Sequence, residues 1–235
     1  MINKVVNVFK ICIDNQTATN NNNIQLDPEV VENFFKLIYI ILLQLPSAIA
    51  NLSDLQKLSY LCHQSLMTYS EKTVVRSILQ CIQGLFYPIT QKTREYLPFF
   101  HNAMNVHIDA YVRYLFSAIG GGSTSSLWPQ ITETLFCILA GVQTPIQGTN
   151  VAQMKTEWIK VGLETINIPA IMIPSVGDAL LQSVSDINTT AIMEIQSHKQ
   201  AFKGILQDLG KVATGEAAPD LLQAYQNRQS TYVLE

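Results

Sequence analysis

The loop Gly120-Gly121-Gly122-Ser123-Thr124-Ser125-Ser126 is the first place in this chain where residue types and spacing invite chemistry. Glycines let a backbone wrap a phosphate, and the hydroxyls beside them can hold an oxygen or a metal. A nucleotide loop of the GxxxxGK[ST] kind also needs a lysine for the outer phosphates and a strand before it, and neither is present. The segment reads instead as a helix end, with Gly120 left-handed and a serine capping the next helix. Cys62 and His63 are a thiol and a base, but neighbours on a helix point about 100° apart, so this pair makes no nucleophile and base. His101 and His107 are not at the i, i+4 spacing that binds zinc from one helix, and His198 is remote. The acidic residues are scattered, with no two on one apolar-lined face for acid and base work. No catalytic residue, metal ligand or cofactor site is expected, and the chain is not read as an enzyme.

What remains is contact chemistry. Lys72, Arg76, Gln80 and Gln83 recur every three or four residues and so form one stripe on a helix. Such a stripe is either a solvated face or the rim of a site for an acidic protein partner. Tyr114, with Arg113 beside it, is a second candidate contact, since tyrosine and arginine are favoured at protein interfaces. Tyr111, three residues earlier, competes between that face and the core.

The composition narrows the classes further. The chain has 235 residues, with 15 Lys plus Arg against 18 Asp plus Glu, a formal net charge of −3. Direct nucleic-acid binding is not expected, because neutralising many phosphates needs clustered cations. Hydrophobic residues make up 48% and charged residues 14%, well under the roughly 25% charged of ordinary soluble domains, so much of the surface must be buried or contacted. Cys12, Cys62, Cys81 and Cys137 stand far apart in apolar stretches and read as reduced buried thiols. Asn7 and Lys10 interrupt the first apolar run and argue against a signal peptide. The longest apolar run, Leu37 to Leu43, is too short for the roughly 20 residues of a bilayer crossing, so no membrane is expected.

The elements that must position these residues repeat at three to four residues almost throughout, which predicts an all-α fold. Residues 1–13 read as an edge helix, 14–27 as an Asn-rich loop, 28–212 as a helical-repeat domain, and 213–235 as a break followed by a short terminal helix. Asp27 and Pro28 mark a helix start, with Pro46 as its stop. Further helices are expected from the cap Ser53, from the cap Ser70 to Pro88, over 104–119, 127–140 and 151–165, and from about 189 to 212, with Pro169 and Pro174 in a connection. Helix starts near 28, 53, 70, 104, 127 and 151 fall into pairs whose repeat approaches the roughly 40–47 residues of HEAT units, predicting an antiparallel helical-repeat solenoid. A compact helical bundle is the other arrangement open to this pattern. If the chain is the end of a longer solenoid, the first helix lacks a neighbour and exposes Val5, Val6, Phe9 and Cys12.

Particular residues also resemble a family. The helix Val112-Arg113-Tyr114-Leu115-Phe116-Ser117 closing on Ala118-Ile119-Gly120-Gly121, the later set Trp158, Ile159 and Leu163, and Phe202-Lys203 followed by Leu206, Asp208 and Leu209 are similar in order and spacing to β-karyopherins of the transportin-SR and importin-thirteen branch. The resemblance spans about residues 54 to 212. It implies a HEAT-type nuclear transport receptor segment that carries protein cargo between nucleus and cytoplasm under control of the GTPase Ran, with nucleoporins as further partners. The family's main Ran-binding repeats lie at its N-terminal end, so this chain resembles the C-terminal arch and that Ran site is not expected here. The arginine-rich cargo helix of the transportin-SR type has no counterpart, since Arg76, Arg94, Arg113 and Arg228 are dispersed. The competing function is a HEAT or armadillo-type interaction scaffold with no link to Ran.

Overall fold

In a computed structural model the described residues are 2–18, 26–50, 55–87, 91–122, 125–142, 149–185 and 192–225, and among them there are helices and no strand. They fall in two compact units, Met1–Ile108 and Asp109–Glu235. The stretch 28–212 read above as one repeat domain spans both.

The first unit opens with α1 (Ile2–Ala18), α2 (Pro28–Gln44) and the short α3 (Pro46–Ala50). It continues with α4 (Leu55–Thr68), α5 (Lys72–Phe86), α6 (Gln91–Arg94) and α7 (Leu97–Met104), then a 3-10 turn, Asn105–His107. α2 starts as the sequence predicts: the Asp27 carboxylate accepts the Glu29 backbone N–H at 2.8 Å and Pro28 fills the first turn. Its end departs from expectation in one respect. Pro46 stops α2 but itself opens α3, because a proline lacks only an N–H that no first-turn residue needs.

α1 runs past the expected end at Ile13. Its polar extension is stabilised by an ion pair from Lys10 to Asp14 and by the Tyr60 hydroxyl, which donates to Asp14 at 2.9 Å. The expected exposure of this helix holds for Val5 and is corrected for Val6 and Phe9. Val6 and Phe9 are buried, Cys12 is half-buried, and Val5, Val8 and Ile11 face outward. The reason is α2, whose Phe34 ring stacks on Phe9 with centroids 3.8 Å apart while Phe35 meets both rings edge-on. Such aromatic pairs add about 0.5–1.5 kcal/mol beyond the area they bury.

α1 packs on α4 and α4 on α7, while α2 lies along α5 and α4 touches α5. The cap of α5 is Glu71, with extended backbone and no side-chain cap bond, rather than Ser70. Ser53, Pro88 and the asparagines of 20–23 lie outside the described residues.

In the second unit, α8 (Ile108–Ser117, its first residue closing the first unit) leads into a π turn, Ala118–Gly122. The helix expected over 104–119 is therefore broken by the 3-10 turn at 105–107 and ends in this wider turn. Gly121, with φ 111°, is the left-handed residue there, in place of Gly120. Then come α9 (Trp128–Gly141), α10 (Val151–Leu163), α11 (Ile173–Val184), α12 (Ile192–Ala213) and a 3-10 turn, Pro219–Leu222. The Asn150 side chain caps α10 by accepting from Ala152 N–H at 2.8 Å.

α11 was not foreseen. Pro174 sits in its first turn, and behind it Val176, Leu180 and Val184 recur every four residues as its buried edge. α11 packs between α10 and α12, and α12 also meets α9 and the π turn. The second unit is stapled where Phe202 meets Phe136 edge-on at 5.6 Å, one turn from Glu133, whose two oxygens bind Lys199 and Lys203. Gly210 of α12 lets the Trp128 ring lie against its backbone, since a Cβ there would stand 2.4 Å from Trp128 Cη2.

Candidate interaction surface

The stripe read from the sequence lies on α5, whose wide apolar face runs through Val74, Val75, Ile78, Leu79, Ile82, Leu85 and Phe86, all buried. That face fixes what is left for solvent. Lys72 and Arg76 are exposed, and Gln80 and Gln83 are half-buried, so the stripe is open at the start of the helix and narrows toward its end. Cations in the first turns meet the positive end of the helix dipole, an unfavourable placement by a few tenths of a kcal/mol. Helix stability therefore does not account for Lys72, while Arg76, the fifth residue of α5, lies beyond the first turn where the dipole acts.

α2 supplies the neighbouring groups. The Thr73 hydroxyl donates to the Glu32 carboxylate, which also pairs with Lys36 one turn on, and the Lys36 and Thr73 hydrogen bonds hold Glu32 below the usual carboxylate range. Lys36, Lys72 and Arg76 thus stand within about one turn of the Thr73–Glu32 contact, as do Glu29, Glu32 and Glu71. Three cations against three carboxylates leave this surface locally balanced, a mixed polar patch and not a basic one.

Arg113 and Tyr114 lie on α8 in the second unit, whereas the other four candidates belong to the first. Arg113 is exposed, and Tyr114 is half-buried, with burial pushing its hydroxyl pKa up so that it stays a neutral donor. Tyr111 is completely buried and belongs to the core.

Cys62 and Cys81 are buried against one another, and burial first, then Cys81, raises the Cys62 thiol pKa well above normal. Burial, reinforced by Glu133, does the same to Cys137. His101 is buried, its Nε2 donating to the Phe86 carbonyl at 3.0 Å beneath the Phe86 ring. Among the described residues no three His, Cys, Asp or Glu side chains converge as a metal site, and no helix is long and apolar enough to cross a membrane. Sequence reasoning missed the partner of His63, which is His107 and not Cys62. It also missed the Lys10–Asp14–Tyr60 and Glu133–Lys199–Lys203 groups, although Lys10/Asp14 and Lys199/Lys203 show the i, i+4 spacing that marks them.

The residues that carry the β-karyopherin resemblance are mostly core. Phe116, Ile159, Leu163, Phe202, Leu206 and Leu209 are almost wholly buried, Trp158 nearly so, and Lys203 is held by Glu133. No protein-family model matches the chain. No curated protein and no solved structure matches it either.

Proposed function

We propose that this chain is a protein-binding segment of a nuclear transport receptor of the β-karyopherin type, built from HEAT-like helix pairs and contacting its partner through the α5 stripe. The observation that carries the reading is the order of packing in the first unit. α1, α4 and α7 pack in succession, α2 lies along α5, and each of the pairs α1/α2 and α4/α5 is in contact. That is the pattern expected when consecutive helix pairs stack as repeats, first helices on first and second helices on second. In such a stack the second helices line one face, which puts Lys72, Arg76, Gln80 and Gln83 on the surface that a protein cargo would meet. Arg113 and Tyr114 are retained as contacts of the second unit.

The transport part of the reading rests on the sequence resemblance, and the scaffold part on the packing. A capture experiment on the full gene product separates them: proteins are recovered on it with Ran loaded with GTP or with GDP. Partners whose binding depends on the nucleotide support a transport receptor acting in nucleus and cytoplasm. Partners bound equally in both states support the interaction scaffold unrelated to Ran.

A further inference from the structure

His63 on α4 and His107 in the turn Asn105–His107 lie face to face, with ring centroids 5.4 Å apart and planes 26° from parallel. His107 Nδ1 is 2.9 Å from the hydroxyl of Ser59, a fully buried residue one turn before His63, and the Tyr60 ring centroid is 6.3 Å from that of His107. The turn bearing His107 follows α7 and packs on both α7 and α4. The imidazole pair is thus a clasp between α4 and the turn that leads out of the first unit.

We infer that this pair is a proton-operated latch: with both rings neutral it holds the Asn105–His107 turn on α4, and protonation of both below neutral pH releases the turn. The inference is independent of the proposed function. Neutral stacked imidazoles attract as other aromatic pairs do. Two imidazoliums at the same spacing repel, and half-burial withholds much of the water that would screen them. The Ser59 hydroxyl does not oppose the switch, because it can donate to a neutral Nδ1 or accept from a protonated one.

The charged and titratable groups around the pair are few, and the nearest in sequence is the exposed carboxylate Asp109, two residues beyond His107 in the first turn of α8. α1 offers Lys10 and Asp14, already paired, with Lys10 also 5.0 Å from the Tyr60 ring centroid and Asp14 accepting from Tyr60. α4 adds Lys57, which donates to Asn7 at 3.2 Å, and Cys62, buried with Cys81 of α5. α7 adds His101, engaged by the Phe86 carbonyl.

Burial holds His63 below its ordinary pKa, and burial, then the charge of His63, does the same to His107. The closed latch therefore binds protons less readily than the open one. It is favoured above the ordinary histidine value of about 6.5 and loses that advantage as pH falls through it.

The test follows the imidazole Cε1–H resonances of the full chain from pH 8 to 4.5, with amide hydrogen exchange of the segment 97–108 read on the same protein. The expected result is two separated titrations, both below about 6.5. Protection of the turn should also fall by up to about tenfold, beyond the intrinsic pH effect on exchange, for each unit of depression. His63→Gln should reduce that extra opening to the share due to the burial of His107, and raise the His107 titration part of the way toward its ordinary value. Titration of both histidines at or above about 6.5 in the unaltered chain overturns the latch, whether or not the variant folds. So does pH-dependent opening that is undiminished in His63→Gln.

Discussion

The Phe116 ring of α8 lies against the backbone of Gly162 in α10 so closely that a Cβ on Gly162 would stand 2.1 Å from Phe116 Cδ2. Phe116 is itself fully buried and has nowhere to retreat. Gly162→Ala gains about 1 kcal/mol of helix propensity and loses about 1–3 kcal/mol to overpacking, so the clash wins and stability falls. Gly204 of α12 is the matched control, with nothing within 4 Å of its would-be Cβ. Gly204→Ala should stabilise by about 0.5–1 kcal/mol. Urea melts of both variants check the opposite signs, and equal signs would show that the α8/α10 contact is looser than described.

Phe9 provides a second contrast, along α1. Buried between Phe34 and Phe35, it cannot be exchanged for a carboxylate without desolvating a charge and breaking the stack. Phe9→Asp is expected to cost at least about 3 kcal/mol. Val8→Asp, one residue away on the exposed side, should change stability by no more than about 0.5 kcal/mol. Circular-dichroism melts that rank the two the other way round would return Phe9 to the surface.

The contrast between α2 and α11 shows how far the fold could be read in advance. α2 carries its own start signal in Asp27 and Pro28, a local cap that needs no tertiary partner. In α11 the same signal, Pro174, follows Pro169 so closely that the two look like a loop, and only the buried Val176, Leu180 and Val184 show otherwise. Position on a face was likewise legible for Lys72, Arg76, Gln80 and Gln83, because helical spacing is a property of the sequence alone. Their environment was not. Thr73 meeting Glu32, and His63 meeting His107, are contacts between separate helices that no local pattern encodes. The edge exposure assigned to Phe9 failed for the same reason, since α2 covers it.

Leu79 is fully buried at the edge of the apolar face of α5, one turn from Arg76 and Gln83 and so bordering the polar stripe. Leu79→Ala should cost about 2–5 kcal/mol, the lost transfer energy plus that of the cavity left between helices. Guanidinium melts measure this directly. A loss under about 0.5 kcal/mol would place the face in solvent and would take away the packing of α5 on which the orientation of its stripe depends.

Arg76 tests the stripe itself. Its surroundings balance at present, with Lys36, Lys72 and Arg76 against Glu29, Glu32 and Glu71, so long-range steering of a partner is weak. Arg76→Glu removes one positive charge and adds one negative, which leaves the same surface at −2 while changing no buried group. Against an acidic partner recovered by the capture experiment, association should slow at low salt and recover as salt is raised, because repulsion between exposed charges is screened beyond about 10 Å at 0.1 M ionic strength. Dissociation should change less, since rim charges act mainly on encounter. Arg113→Glu in the second unit is the companion variant, and surface plasmon resonance distinguishes the two. Slowing by Arg76→Glu alone assigns the contact to α5, and slowing by Arg113→Glu alone moves it to α8. Association rates unchanged by either variant at low salt would remove both helices from the contact.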